Sequence, residues 1–170
     1  EWLGWLVKAN EFAATGAFEA AADLRTKAFD AAQPVGGKIN EEPFEWLGDA
    51  DARLGPILEV VINGQYKWLP VHQVTRIDLG EPEELLDLIW AQANFTWSNG
   101  GNAVGFIPVR YAGTEESPDG DMLLSRKTDW KTVADDFQFG VGQREISTDA
   151  ADYALLDVRS VEFNSGSESK

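Results

Sequence analysis

The chain has 170 residues, 44% of them hydrophobic, and 29 acidic residues against 14 basic ones give a net charge of −15. It has no cysteine and one histidine, His72, which excludes disulfides, thiolate nucleophiles, zinc–thiolate sites and paired-histidine metal motifs within the chain. The negative field and the lack of a Lys/Arg cluster argue against nucleic acid or an anionic membrane as partner, and no apolar run reaches the roughly 18 residues of a membrane helix.

Residues 1–33 predict two helices. Trp2, Leu6, Ala9 and Ala13 recur at helical spacing, and Trp5, Ala9 and Phe12 fill the adjacent stripe. Thr15-Gly16 breaks the pattern. Phe18, Ala21, Ala22, Ala28, Phe29 and Ala32 line one side of the second helix, with Arg25 interrupting it, and Pro34, Gly36 and Gly37 close it. The Gly16-x-Phe18-x-x-Ala21 spacing, with Ala28 downstream and Trp5 and Phe12 upstream, is similar to a tetratricopeptide-type helical hairpin, although Arg25 stands where a large apolar residue is usual. A lone hairpin cannot bury both faces, so this one is expected to pack on the segment that follows or on helices before Glu1, a first residue that points to a truncated N-terminus.

Residues 35–48 read as a Gly/Pro/acidic connector. Ile57 to Ile62 and Gln65 to Leu69 are strand-like and flank Asn63-Gly64, the strongest short hairpin signal, with Pro70 ending the second run. Glu81-Pro82-Glu83-Glu84 reads as a helix start, with Leu85, Leu86, Ile89 and Trp90 on its apolar side. Residues 94–98 and 103–107 predict a second hairpin around Asn99-Gly100-Gly101-Asn102. Residues 112–121 read as a loop, Met122 to Ser125 as a short strand, Gly140-Val141-Gly142 as a flexible joint, and Tyr153 to Phe163 as a final strand. The expected fold is α+β: a helical segment over 1–34, a β-rich part over 44–163 with antiparallel hairpins, and a disordered polar tail over 164–170.

Few residues form a catalytic pattern. Asp49, Asp51, Glu59 and Asp87 are the best acidic group; they offer oxygen ligands for a hard divalent cation or a hydrolytic pair, and the alternative is capping and pairing with Arg53. His72 has no motif partner and reads as structural. Gly140-Val141-Gly142-Gln143-Arg144 lacks the third glycine of a phosphate loop and reads as a turn. No cofactor is implied. Arg110-Tyr111, Arg126 with Thr128 and Trp130, and Gln143-Arg144 each place an arginine to tie loops through carboxylates. Of seven tryptophans most are expected in the core, while Trp2 and Trp5 are candidate partner anchors.

Several motifs occur together in order: Asp51 to Glu59, Asn63 to Pro70, Asp87-Leu88-Ile89-Trp90, Pro108-Val109-Arg110-Tyr111, Arg126 to Trp130, Gly140 to Arg144 and Leu156 to Arg159. In these the chain resembles the ImpE/SciE family, also called TagJ, over roughly residues 44–163 and the preceding hairpin. Leu86 stands where the family pattern has arginine. The resemblance implies a cytoplasmic, non-enzymatic accessory protein of bacterial type VI secretion, linked to the small sheath subunit (TssB-like) and to the AAA+ ATPase ClpV. Docking of a partner helix on the hairpin, through Trp2, Trp5 and Phe12, is then one expectation. Docking on the β-rich part, through exposed Tyr66, Trp68, Arg110 and Tyr111, is the other. A toxin-neutralising immunity protein and a divalent-metal hydrolase built on Asp49, Asp51 and Glu59 are the alternatives from other classes.

Overall fold

The chain opens with helices α1 (Trp2–Ala14) and α2 (Phe18–Ala31) in the computed structural model, which describes residues 1–134 and 137–164. Gly16 turns the chain between them at φ 81°, a left-handed conformation that favours glycine. Ala9, Ala21 and Ala28 are buried, so the two backbones approach closely. Leu6 and Ala28 then meet Leu54, Ile57 and Tyr111 of the following segment, with Trp2, Trp5 and Trp130 packed around them. Arg25, which breaks the apolar pattern of α2, is only 1% exposed. Its Nη2 donates to Asn10 Oδ1 at 2.8 Å, and its guanidinium lies over the Phe139 ring at 5.2 Å.

The stretch read as a connector holds three short strands, β1 (Gly37–Ile39), β2 (Glu42–Phe44) and β3 (Leu47–Asp49). Strands β4 (Ile57–Ile62) and β5 (Gln65–Pro70) form the predicted hairpin, with Asn63 at φ 54° and Gly64 at φ 71°. The pairing continues through β6 (Val74–Leu79), β7 (Trp90–Trp97) and β8 (Asn102–Pro108), the last two being the second predicted hairpin. A single helical turn, α3 (Gly120–Leu123), precedes β9 (Thr128–Ala134), β10 (Phe137–Gly142), β11 (Glu145–Thr148), β12 (Asp152–Ala154) and β13 (Ser160–Phe163). The main sheet is antiparallel, in the order β2-β1-β13-β6-β7-β8-β4-β5, beside smaller sheets β10-β9 and β12-β11-β3. The fold is α+β, as expected.

Alternation assigns the two faces of the main sheet. Leu58, Val60, Ile77, Phe95, Ile107 and Val161 point into the core that the three-stranded sheet closes. The opposite face carries Val61, Tyr66 and Phe106 in one cross-strand row, and Arg76, Asp78 and Glu162 farther along. Among the described residues no helix is long and apolar enough to cross a membrane.

Four further expectations are corrected. The helix read from Glu81 to Trp90 is one 3-10 turn, Leu85–Leu88, and Trp90 already belongs to β7. Leu85 and Leu86 are 73% and 62% exposed, so no apolar side is buried that would sustain a longer helix. Met122 lies in α3 rather than a strand, because the Asp119 carboxylate caps that turn by accepting from Asp121 N at 2.9 Å. Gly140 to Gly142 is not a joint but part of β10, pressed against Tyr111 and Lys127. The final strand is broken by a 3-10 turn at Leu155–Asp157. Of the tail, 165–170 lie outside the described residues, so the expectation of disorder is not carried further.

The 3-10 turn also supports a pH prediction. Asp87 accepts from the backbone N–H groups of Glu84 and Glu83, each at 2.9 Å, and these bonds hold its carboxyl below the usual range. A carboxylate with a depressed folded pKa stabilises above its unfolded value and loses that contribution as pH falls through the folded value. The turn is therefore expected to loosen as pH drops below about 4, before the sheet does. Amide exchange over residues 83–89 across an acid titration checks this, and Asp87→Asn should abolish the dependence. A wild-type turn equally protected at about pH 7 and pH 3 would refute it.

Candidate functional site

Five of the charged residues singled out in the sequence, Asp49, Asp51, Arg53, Glu59 and Arg144, converge where β3, β4 and β11 meet the segment after β8. Arg144 is 0% exposed. Its Nη1 pairs with Asp49 Oδ2, its Nη2 with Glu59 Oε2, and its Nε donates to the Pro108 carbonyl at 2.9 Å. Its guanidinium lies over the Tyr111 ring at 5.1 Å. Asp49 Oδ1 accepts from Tyr111 Oη at 3.0 Å and from Asp51 N at 2.9 Å. The Asp51 carboxylate accepts from Arg53 Nη2 at 2.6 Å and from Gly140 N at 2.7 Å.

The network reaches both layers of the molecule. On the sheet side Tyr66 Oη donates to Glu59 Oε1 and accepts from Trp68 Nε1 at 2.7 Å. On the helical side Asn10 Nδ2 donates to the Arg53 carbonyl at 2.8 Å and Asn10 Oδ1 accepts from Arg25. A hollow of about 180 Å³ between them is lined by Asn10, Arg53, Glu59, Trp68, Tyr111 and Ala112, among others. Contacts thus run from an exposed tyrosine through buried ion pairs to the Arg53 carbonyl, where Asn10 joins the hairpin to the network.

The electrostatics follow from burial and pairing. Burial pushes Asp49 up to about 6, against the pull of Arg144. Burial also pulls Arg144 down, but Asp49 and Glu59 outweigh it and leave the guanidinium above its ordinary value. Burial, with the Asp49 charge, raises the Tyr111 phenol. Burial and the bond to Glu59 push Tyr66 up to about 12.

Of the acidic residues proposed as cation ligands, Asp49 and Glu59 do come together, but Arg144 sits between them and uses both carboxylates. Asp51 is taken by Arg53, the pairing named as the alternative. Asp87 serves its own turn elsewhere. Among the described residues no group of three or more His, Asp or Glu side chains could hold a metal ion. Arg144 is the residue that sequence reasoning undervalued, since its partners lie 95 and 85 residues away.

The candidate docking residues separate. Trp2, Trp5 and Phe12 are half-buried; Trp2 and Trp5 pack against the junction, and Lys27 Nζ stands 4.0 Å from the Trp5 ring centroid. Tyr66 is 57% exposed and Trp68 half-buried. Arg110 is half-buried and donates to the Leu123 carbonyl at 2.9 Å. Tyr111 is buried, contrary to the expectation that it is exposed, because its hydroxyl serves Asp49. His72 is exposed, with Trp2 edge-on at 6.4 Å. A cleft of about 490 Å³ lies where the end of α2 faces Trp46, Leu47 and Val71.

Fold and network together define a class: a mixed α+β protein in which a helical hairpin packs, through apolar contacts and the Asn10–Arg53 hydrogen bond, beside an antiparallel sheet held by buried ion pairs. Within that class the chain belongs to the ImpE protein family, whose model matches residues 41–162. A relative from Pseudomonas aeruginosa, described as type VI secretion system accessory component TagJ, is 47% identical over 163 residues, which is 96% of this chain and 57% of the relative. A crystal structure of protein VPA1032 from Vibrio parahaemolyticus has the same fold, with a TM-score of 0.87 at 23% identity over 96% of this chain and 61% of that one. The chain therefore spans less than two thirds of either relative.

Proposed function

We propose that this chain acts in the bacterial cytoplasm as a non-enzymatic accessory component of a type VI secretion system. In this reading it binds the small sheath subunit (TssB-like) and links it to recycling of the sheath by the ClpV-type ATPase. The observation that carries the reading is the 47% identity, over nearly the whole chain, to the relative described as accessory component TagJ. The site chemistry is compatible with it, since the buried carboxylates are occupied by arginines rather than open to a substrate.

Residues 1–34, read as a tetratricopeptide-like hairpin, and residues 44–163 form the two working parts. A sheath-subunit helix docks on the hairpin near Trp2, Trp5 and Phe12, in the manner of an amphipathic helix in a groove. The negative field of the chain speeds encounter with a basic segment. The exposed face around Tyr66 and Trp68 is the second docking option.

A pull-down from the source lysate with the natural full-length protein, read by mass spectrometry, tests this. The small sheath subunit or the ClpV-type ATPase is expected with wild type, and recovery should fall about tenfold with Trp5→Ala while the melting temperature drops by only a few degrees. Equal recovery by both would move the site to the Tyr66–Trp68 face. Recovery of neither, with a toxin enriched instead, would overturn the accessory role.

A further inference from the structure

The outer face of the main sheet has an apolar part that nothing among the described residues covers. Tyr66, Val61 and Phe106 form one row across β5, β4 and β8, with Trp90 and Val104 beside it on β7 and β8. Phe106, Val104 and Trp90 are 42%, 55% and 37% exposed. Leu86, on the 3-10 turn, stands beside this face, and with Val61, Trp90 and Phe106 it lines an open hollow of about 260 Å³. Solvated sheet faces ordinarily carry polar residues, as this one does at Arg76, Asp78 and Glu162. The apolar part therefore calls for an occupant.

An acidic hollow of about 430 Å³ adjoins it. Its lining includes Glu81, Glu83, Glu84 and Asp87 from the turn, and Gln92 and Asn94 from the same face of β7 as Trp90. Arg159 approaches Glu81 at 3.9 Å. Among the described residues neither Glu83 nor Glu84 has a cationic partner.

We infer that this face is a docking surface for a basic amphipathic helix of a protein partner, with apolar side chains on Val61, Leu86, Trp90 and Phe106 and Lys or Arg side chains at Glu83 and Glu84. Strands lie about 4.8 Å apart, close to the roughly 5.4 Å pitch of an α-helix, so a helix laid across them matches one apolar side chain per turn to each strand. A second copy of this chain fits poorly, because each copy carries −15 and would bring one acidic rim against another. The surface is separate from the hairpin site and does not depend on which partner the hairpin takes.

The test uses the full-length chain and a fluorescent leucine–lysine peptide patterned as an amphipathic helix, with a scrambled peptide of the same composition as reference, read by anisotropy. The patterned peptide is expected to bind at least about tenfold more tightly than the scrambled one. Phe106→Ser and Trp90→Ser should each weaken it by about tenfold or more. Glu83→Lys with Glu84→Lys should do the same, whereas Glu42→Lys with Glu116→Lys, an equal change of net charge away from the face, should leave it within about twofold. Trp5→Ala should not alter it, which separates this surface from the hairpin reading. Equal binding of both peptides, equal losses in the two charge variants, or indifference to both apolar variants would overturn the inference. So would sedimentation showing a dimer that Phe106→Ser dissociates, since the occupant would then be a second copy.

Discussion

Arg144→Met is expected to destabilise the chain by about 3–5 kcal/mol at neutral pH, the range found when one partner of a buried ion pair is removed. For a chain of this length that lowers the melting temperature by roughly 6–20 °C. Methionine fills the space but leaves Asp49 buried with only Tyr111 Oη and Asp51 N as donors, and it frees the Glu59 carboxylate and the Pro108 carbonyl. The pH dependence gives the mechanism away. Asp49 is already raised above its ordinary value by burial, and losing Arg144 raises it further. A carboxyl with a raised folded pKa contributes stability that is present below its unfolded pKa and is lost as pH rises through the folded one. The deficit of the variant relative to wild type should therefore be smallest near pH 4 and grow towards about pH 8. Adding Asp49→Asn should recover part of the loss, because the orphaned charge is gone. Arg144→Lys should lie between, since one ammonium cannot bridge both carboxylates and also reach Pro108. Urea unfolding at several pH values measures all of these. A deficit under about 1 kcal/mol, or one that grows on acidification, would show that the carboxylates do not depend on Arg144.

This network also marks where sequence reading stopped. Local signals worked where the physics is local. Asn63-Gly64 needs two positive φ angles and takes them, and the break at Gly16 separates the two helices where expected. The pairing of Asp51 with Arg53 spans two positions and was open to inspection. Arg144 with Asp49 and Glu59 was not, because no spacing links residues that only the sheet pairing brings together. The mistaken helix before β7 has a different cause. The inward residues of β7 are Ala91, Ala93 and Phe95, and two alanines conceal an alternation that larger side chains would display. Arg25 looked like a defect in a helix face because its partners, Asn10 and Phe139, come from another helix and from β10.

Gly142→Ala tests the crossing that holds Arg144 in place. Gly142 has φ +94°, and a Cβ there would stand 2.1 Å from the Lys127 carbonyl oxygen and 2.7 Å from Met122 Sδ. Its N–H donates to Thr114 Oγ1 at 2.9 Å and its carbonyl accepts from Tyr111 N at 3.0 Å. Backbone is in the way on one side and hydrogen bonds restrain the residue on the other, so the new methyl has no cheap direction to move. The left-handed conformation costs about 1–2 kcal/mol for an L-residue, and forcing a close-packed contact apart adds about 1–3 kcal/mol. A total loss of about 2–5 kcal/mol is expected. Gly64→Ala isolates the first contribution, because Gly64 is also at positive φ, +71°, but nothing lies within 4 Å of its would-be Cβ. It should cost only about 1 kcal/mol. The difference between the two variants in urea unfolding therefore measures how firmly the Lys127 backbone is held. If Gly142→Ala costs no more than Gly64→Ala, the Lys127 segment yields. The crossing would then be too compliant to position the guanidinium two residues farther along, and the Arg144 network would owe its geometry to β3 and β4 instead.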